Sequence, residues 1–262
     1  LVTTAGDSVF MRPGIRLPEY VTVHEVGHNW FQGILASNEP VEAWLDEGMN
    51  EWADVHVMRD IYGPRGNALD WGGWQADAGE LRVALADLLR AGPNTQPSPI
   101  ASAAYAFVDG KSYAGGTYIA TMGIMHTLEK HVGSAKFLAR MKAYAKEFAF
   151  KHPTGNDLFA VLQRELGMDL TWYFEPAFQR VGGHRLEIRT AECDPKHEPR
   201  GVFGEGPARK TKTDTEAPNT GTFLCEIVLQ NTGAIHIPVD VEFKFADGST
   251  QREVWDDRGN GS

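Results

Sequence analysis

The sequence predicts a mainly α-helical domain, residues 1–183, followed by a partial all-β sandwich, residues 184–262. Three observations carry this. Apolar residues recur at helical spacing through the first two thirds, as in Phe137, Met141, Tyr144 and Phe148. Gly182-Gly183 then interrupts the chain, and beyond it the period falls from 3.6 to 2. Ile235, Ile237, Val239, Val241, Phe243 and Phe245 alternate with His236, Pro238, Asp240, Glu242 and Lys244, the pattern of a strand with one buried face.

In chain order, Leu1-Val2-Thr3-Thr4 reads as the tail of a strand, and residues 5–17 as loop with a turn at Pro13-Gly14. Pro18, tolerated in a first turn, opens a helix with apolar positions at Val23, Val26, Trp30 and Phe31. Gly33 and Ser37-Asn38-Glu39-Pro40 end it, and a second helix spans residues 41–62, stopped by Gly63-Pro64. A helical stretch over 76–89 leads to a Pro-rich loop over 93–99 and an aromatic patch through Tyr105 and Phe107. Helices follow over 117–131 and from Ser134 to the break at His152-Pro153. Thr154 and Asp157 form a capping-box pattern for a helix to Leu166, and Asp169 is expected to cap a short last helix. Strands are expected at 184–189 and 221–229, with turns at Asn231-Thr232-Gly233 and Asp247-Gly248. Residues 195–220, rich in Gly, Pro, Lys and Thr, read as a mobile loop.

Hydrophobic content of 42% and charged content of 23% belong to a folded globular chain. The net charge of −10 argues against nucleic acid or an anionic membrane as the main partner. No apolar run reaches the ~18 residues of a membrane span, and no signal peptide is visible. The two cysteines, Cys193 and Cys225, make neither a metal cluster nor a disulfide framework; a bridge between two strands and two unpaired thiols both stay open. Both ends read as cut, so a longer parent protein is expected.

The chemistry gathers at His24-Glu25-Val26-Gly27-His28. Imidazoles four residues apart on a helix are offset by roughly 40°, so they can grip one ion. Glu25 between them sits near that ion without pointing at it, where it can take a proton from zinc-activated water. A third ligand is available at Glu47, separated from His28 by eighteen residues and on the next helix. Two imidazoles and one carboxylate leave a fourth zinc position for water. His24, His28 and Glu47 are therefore the expected metal ligands for one Zn2+ per chain, with Glu25 as general base.

These residues resemble the gluzincin zinc aminopeptidases related to membrane alanyl aminopeptidase and leukotriene hydrolase. The likeness rests on HExxH, eighteen residues, then Glu within Trp44-Leu45-Asp46-Glu47-Gly48. Trp30-Phe31 and Asp169-Leu170-Thr171-Trp172-Tyr173-Phe174 extend it over most of 1–183, and the C-terminal strands are similar to the β-sandwich of bacterial members. The resemblance implies a thermolysin-like catalytic domain, a peptide substrate with a free N-terminus, and exopeptidase action. It also implies an oxyanion-binding tyrosine, matched by Tyr113 in Ser112-Tyr113-Ala114-Gly115-Gly116, with Gly115 where the family commonly has Lys and with Tyr105 and Tyr118 nearby. The family's amine-recognising acidic strand is expected upstream of Leu1, so this chain alone should bind zinc yet hydrolyse weakly. A periplasmic parent and a membrane-anchored one are both open, as is the oligomeric state.

Glu51 and Asp54 share a helix face with Glu47; a solvated acidic face is favoured over orienting a histidine or meeting the substrate amine. Asp46 is expected to point elsewhere on the helix. His56, His126, His131 and His152 lack partners at ligand spacing and read as surface or capping residues. Trp71, Trp74 and Phe107 read as core before pocket lining. The rival functions are endopeptidase or epoxide hydrolase use of the same centre, and a non-catalytic scaffold of the same fold.

Overall fold

Apolar spacing and helix breakers place eight helices along the described part of the chain. A computed structural model describes residues 12–88, 97–181, 186–197, 201–212, 219–233, 236 and 238–256. The strand expected at 1–4, the loop at 5–11, the Pro-rich segment at 93–96, Gly182-Gly183 and the closing turn at 257–262 lie outside those residues. The chain divides into two compact units, Leu1–His184 with Gly233–Ser262, and Arg185–Thr232.

In the larger unit, helix α1 is Leu17–Trp30, started by Pro18 in its first turn. Gly33 does not end the winding: a π-helical segment, Phe31–Leu35, carries it on to Ala36, whose φ of 54° turns the chain. Helix α2 is Glu39–Tyr62 and breaks helical geometry at Glu42 (φ −135°, ψ 58°). A short antiparallel hairpin, β1 Leu69–Trp71 and β2 Trp74–Ala76, follows α2. Trp71 and Trp74 are exposed there, not core, because a three-residue ribbon has no covering layer over that face. Helix α3 is Ala78–Leu88.

The helix expected at 117–131 begins earlier. It consists of α4 Gly110–Ala114, a second π-helical segment Gly115–Ala120, and α5 Thr121–Val132. Asp109 and Ser112 form a reciprocal capping box that fixes the early start. Helices α6 Ser134–Phe148 and α7 Gly155–Leu166 follow, the latter capped by Thr154 and Asp157 as expected. Helix α8 is Thr171–Gln179; its N-cap is Leu170, and Asp169 instead accepts from the Thr171 N–H at 2.9 Å.

Helix α2 is the axis of this unit, buried on several sides. Trp44, Leu45, Met49 and Trp52 pack with Met125 and Leu128 of α5, Phe137 of α6, Leu158 and Leu162 of α7, and Phe178 of α8. Val55 and Met58 face a second cluster with Tyr20 and Met122. A helix so enclosed also carries Asp46, Asn50, Glu51 and Asp54 out of solvent, each 2% exposed or less. Such charges are retained only where partners meet them.

The C-terminal strands form antiparallel pairs. In the smaller unit, β3 Leu186–His197 pairs with β6 Asn219–Asn231, and β4 Gly201–Phe203 with β5 Lys210–Lys212. Much of the segment read as mobile loop is thus strand, and 198–200 and 213–218 are outside the described residues. Cys193 faces Cys225 in the β3–β6 register and the two form a disulfide. In the larger unit, β7 Val239–Lys244 pairs with β8 Thr250–Trp255 around Gly248, whose φ of 85° suits the turn. Among the described residues β6 pairs with β3. The last long strand starts after Pro238, which has no N–H to give a ladder. No helix among the described residues is long and apolar enough to cross a membrane.

Candidate metal centre

Helices α1 and α2 meet at a contact that only a glycine permits. A Cβ at Gly27 would lie 1.9 Å from Asn50 Oδ1, and the Asn50 Nδ2–H donates to the His24 carbonyl at 2.7 Å. That close approach sets the helix bearing His24 and His28 against the one bearing Glu47. His24 Nε2 and His28 Nε2 lie 3.0 and 3.4 Å from the same oxygen, Glu47 Oε2, and the imidazole centroids are 4.7 Å apart.

The other ring nitrogens are held as firmly. His24 Nδ1 is 2.8 Å from Asp54 Oδ2, and His28 Nδ1 is 2.6 Å from Asp46 Oδ1. A carboxylate only accepts, so each Nδ1 carries the proton and each Nε2 faces Glu47. Two expectations are corrected here. Asp46 points to His28, because α2 crosses α1 and brings consecutive carboxylates Asp46 and Glu47 to opposite sides of one ring. Glu51 and Asp54 are not a solvated face: Asp54 orients His24, and Glu51 accepts from Tyr20 Oη and from both Nε and Nη2 of Arg82.

The electrostatics follow from this packing. Burial alone would lower His24, but hydrogen bonds with Asp54 and Glu47 push it up to about 9. Those with Asp46 and Glu47 push His28 up to about 10, against burial. Burial would raise Glu47, yet hydrogen bonds from His24, His28 and Tyr118 hold its carboxyl at about 2. Burial lifts Asp54 to about 6, opposed by its bond to His24.

The donor set fits zinc. Bonds of about 2.0–2.1 Å in a tetrahedron put neighbouring ligand atoms roughly 3.3 Å apart, close to the 3.0 and 3.4 Å found here. Each histidine also has the carboxylate behind it that metal-bound imidazoles ordinarily use.

Glu25 is half-buried on α1 and, among the described residues, has no hydrogen-bond or ion-pair partner. Tyr113 is half-buried on α4, edge-on to Phe107 and Tyr118 at centroid distances of 5.4 and 6.2 Å. Its phenol is raised by burial and by Glu47, Glu39 and Asp46. Tyr118, in the π-helical segment, stacks on His24 at 6.0 Å and donates a hydrogen bond to Glu47. Tyr105 is 84% exposed, and Phe107 touches Tyr113. Of the remaining histidines, His131 and His152 are exposed as expected, the latter donating to the Ala36 carbonyl at 2.8 Å. His56 and His126 are half-buried and have a partner after all: both meet Glu129. Asp46 and Tyr118 are the contacts that sequence reasoning missed. Asp46 had one available signal, its place beside Glu47, whereas Tyr118 reaches Glu47 only through the π-helical turn.

Comparison with known proteins places these residues in context. Residues 15–176 match the peptidase family M1 domain. A rice (Oryza sativa subsp. japonica) protein named aminopeptidase M1-B is 25% identical over 182 residues, 64% of this chain and 19% of its own length. An Encephalitozoon cuniculi protein named probable M1 family aminopeptidase 2 is 24% identical over 195 residues, 70% of this chain and 21% of its own. The chain thus spans about a fifth of the length of these curated relatives. The crystal structure of Legionella pneumophila aminopeptidase A in complex with aspartic acid shares the fold, with a TM-score of 0.55 at 16% identity. That match covers 90% of this chain and 23% of the Legionella chain.

Proposed function

The chain belongs to peptidase family M1, and from that premise we propose that it carries the zinc centre of an aminopeptidase. His24, His28 and Glu47 are the ligands, Glu25 the general base and Tyr113 the oxyanion donor. The observation behind this is the convergence of both Nε2 atoms on one Glu47 oxygen, at 3.0 and 3.4 Å, with a buried carboxylate behind each ring. Zinc held there would supply Lewis acidity, polarising a carbonyl and lowering the pKa of water to about 7.

The chain's own side chains do the rest. Asp54 and Asp46 accept the Nδ1–H of each imidazole and so fix the tautomer that presents Nε2. Tyr118 donates to Glu47 and positions it. Glu25, one residue from His24 and roughly 100° round the helix, takes a proton from the attacking water and delivers one to the leaving amine. The Tyr113 phenol donates to the oxyanion of the tetrahedral species, a role worth about 3 kcal/mol where such donors have been removed. The substrate is a peptide with a free N-terminus, a reading that rests on the family and on the names of the relatives. Residues 1–183 are read as the catalytic domain and 184–262 as part of a β-sandwich.

The test is metal analysis paired with Glu25→Gln. That variant should keep its zinc and lose hydrolysis of aminoacyl-nitroanilides by about 100-fold or more. Zinc retained at full affinity in Glu47→Ala, or turnover unchanged in Glu25→Gln, contradicts the assignment.

A further inference from the structure

Beyond the first centre, α2 carries a second cluster of ligand-type residues. His56 lies nine residues past Glu47, roughly 13 Å further along the helix axis. It faces His126 and Glu129 of α5, and ligand atoms of the three lie within 4.8 Å of one another. His56 Nε2 is 2.9 Å and His126 Nδ1 is 3.2 Å from one oxygen, Glu129 Oε2. These are again near the roughly 3.3 Å edge of a tetrahedral zinc site. The imidazole centroids are 5.3 Å apart.

The surroundings hold the carboxylate in place. The Trp52 Nε1–H donates to Glu129 Oε2 at 2.9 Å, and Ser134 bonds the same side chain. Burial would raise Glu129, but its bonds to Ser134, Trp52 and His56 hold it below the usual carboxylate range. Burial lowers His126 to about 4, so its imidazole is neutral at pH 7. His126 presents Nδ1 to this cluster, while its Nε2 is buried on the other side of the ring without a hydrogen-bond partner. The side chains of His56 and His126 keep 25% and 15% exposure, so an ion can reach them from solvent.

We propose that His56, His126 and Glu129 form a second binding site for a divalent transition ion of the zinc class, pinning α2 to α5. Two imidazoles and a carboxylate suit zinc or cobalt and do not suit magnesium or calcium, which prefer oxygen. An ion that binds only the folded chain also stabilises it.

The experiment titrates the metal-free chain with Zn2+ against a chromophoric chelator and follows the melting temperature at each equivalent. Two equivalents should bind. His56→Ala and His126→Ala should each bind one and lose the second rise in melting temperature, whereas His24→Ala should keep it. Glu129→Gln, which preserves shape, should weaken the second equivalent at least tenfold; circular dichroism checks that each variant is folded. One equivalent in the native chain, lost in His24→Ala, overturns this site and leaves the first intact. One equivalent lost only in His56→Ala supports this site and overturns the first. Two equivalents in all three variants of this cluster overturn it outright.

Discussion

Gly48 lies beside Glu47, where α2 crosses the π-helical segment that carries Tyr118. A Cβ there would sit 2.3 Å from the Thr117 carbonyl oxygen and 2.4 and 2.5 Å from Thr121 Cβ and Cγ2. Thr117 and Thr121 are fully buried and belong to a continuous helical run, so neither yields by a side-chain rotation. Two effects of Gly48→Ala oppose each other. Alanine gains about 0.8–1.0 kcal/mol over glycine in a helix interior. Forcing a methyl group into a close-packed seam costs typically about 1–3 kcal/mol. With backbone as the obstacle, the upper end of that range applies, leaving a net loss of about 2 kcal/mol. Urea unfolding of the metal-free chain reads this directly. Metal affinity should fall too, since separating α2 from the segment moves Tyr118 off Glu47. A variant as stable as the native chain, or more stable by the helix-propensity gain, would refute the seam.

Two further outcomes follow from the groups around the histidines. Asp54→Asn and Asp46→Asn should each weaken zinc binding at the first centre by about 10- to 100-fold without changing the number of ions bound at saturation, measured by chelator competition. In the metal-free chain His24 and His28 hold protons up to about 9 and 10, against an ordinary 6.5. The folded state therefore binds those protons more tightly than the unfolded chain does. The resulting stabilisation is complete below about 6.5 and is lost as pH rises towards 9 and 10. Zinc must displace the same protons, so its apparent affinity rises with pH across that window. Calorimetry in buffers of different ionisation enthalpy should count about two protons released at pH 7; none released contradicts the hydrogen-bond assignment.

Local features of the fold were legible in the sequence where a short-range cause decides them. Pro18, the Thr154–Asp157 box and the stop at Gly133 each act within one turn, and each helix end falls beside them. The π-helical segments at Phe31–Leu35 and Gly115–Ala120 escaped, because an i→i+5 turn is set by what the helix packs against and leaves no mark on apolar period. At the site, the His24–His28 pairing follows from helix geometry alone. Asp46, by contrast, reaches its ring across a helix crossing made possible by Gly27 and Asn50, contacts with no local pattern. His56 meets Glu129 from 73 residues away, a distance over which spacing rules are silent. The exposed Trp71 and Trp74 show the converse: aromatic side chains suggest a core, but a two-stranded ribbon offers none.

The most direct test of the central claim is a crystal structure of the zinc-loaded chain with data collected at the zinc absorption edge. An anomalous peak is expected about 2.0–2.1 Å from His24 Nε2, from His28 Nε2 and from a Glu47 carboxylate oxygen. Density without a peak at that point, with zinc held by other residues alone, would contradict it.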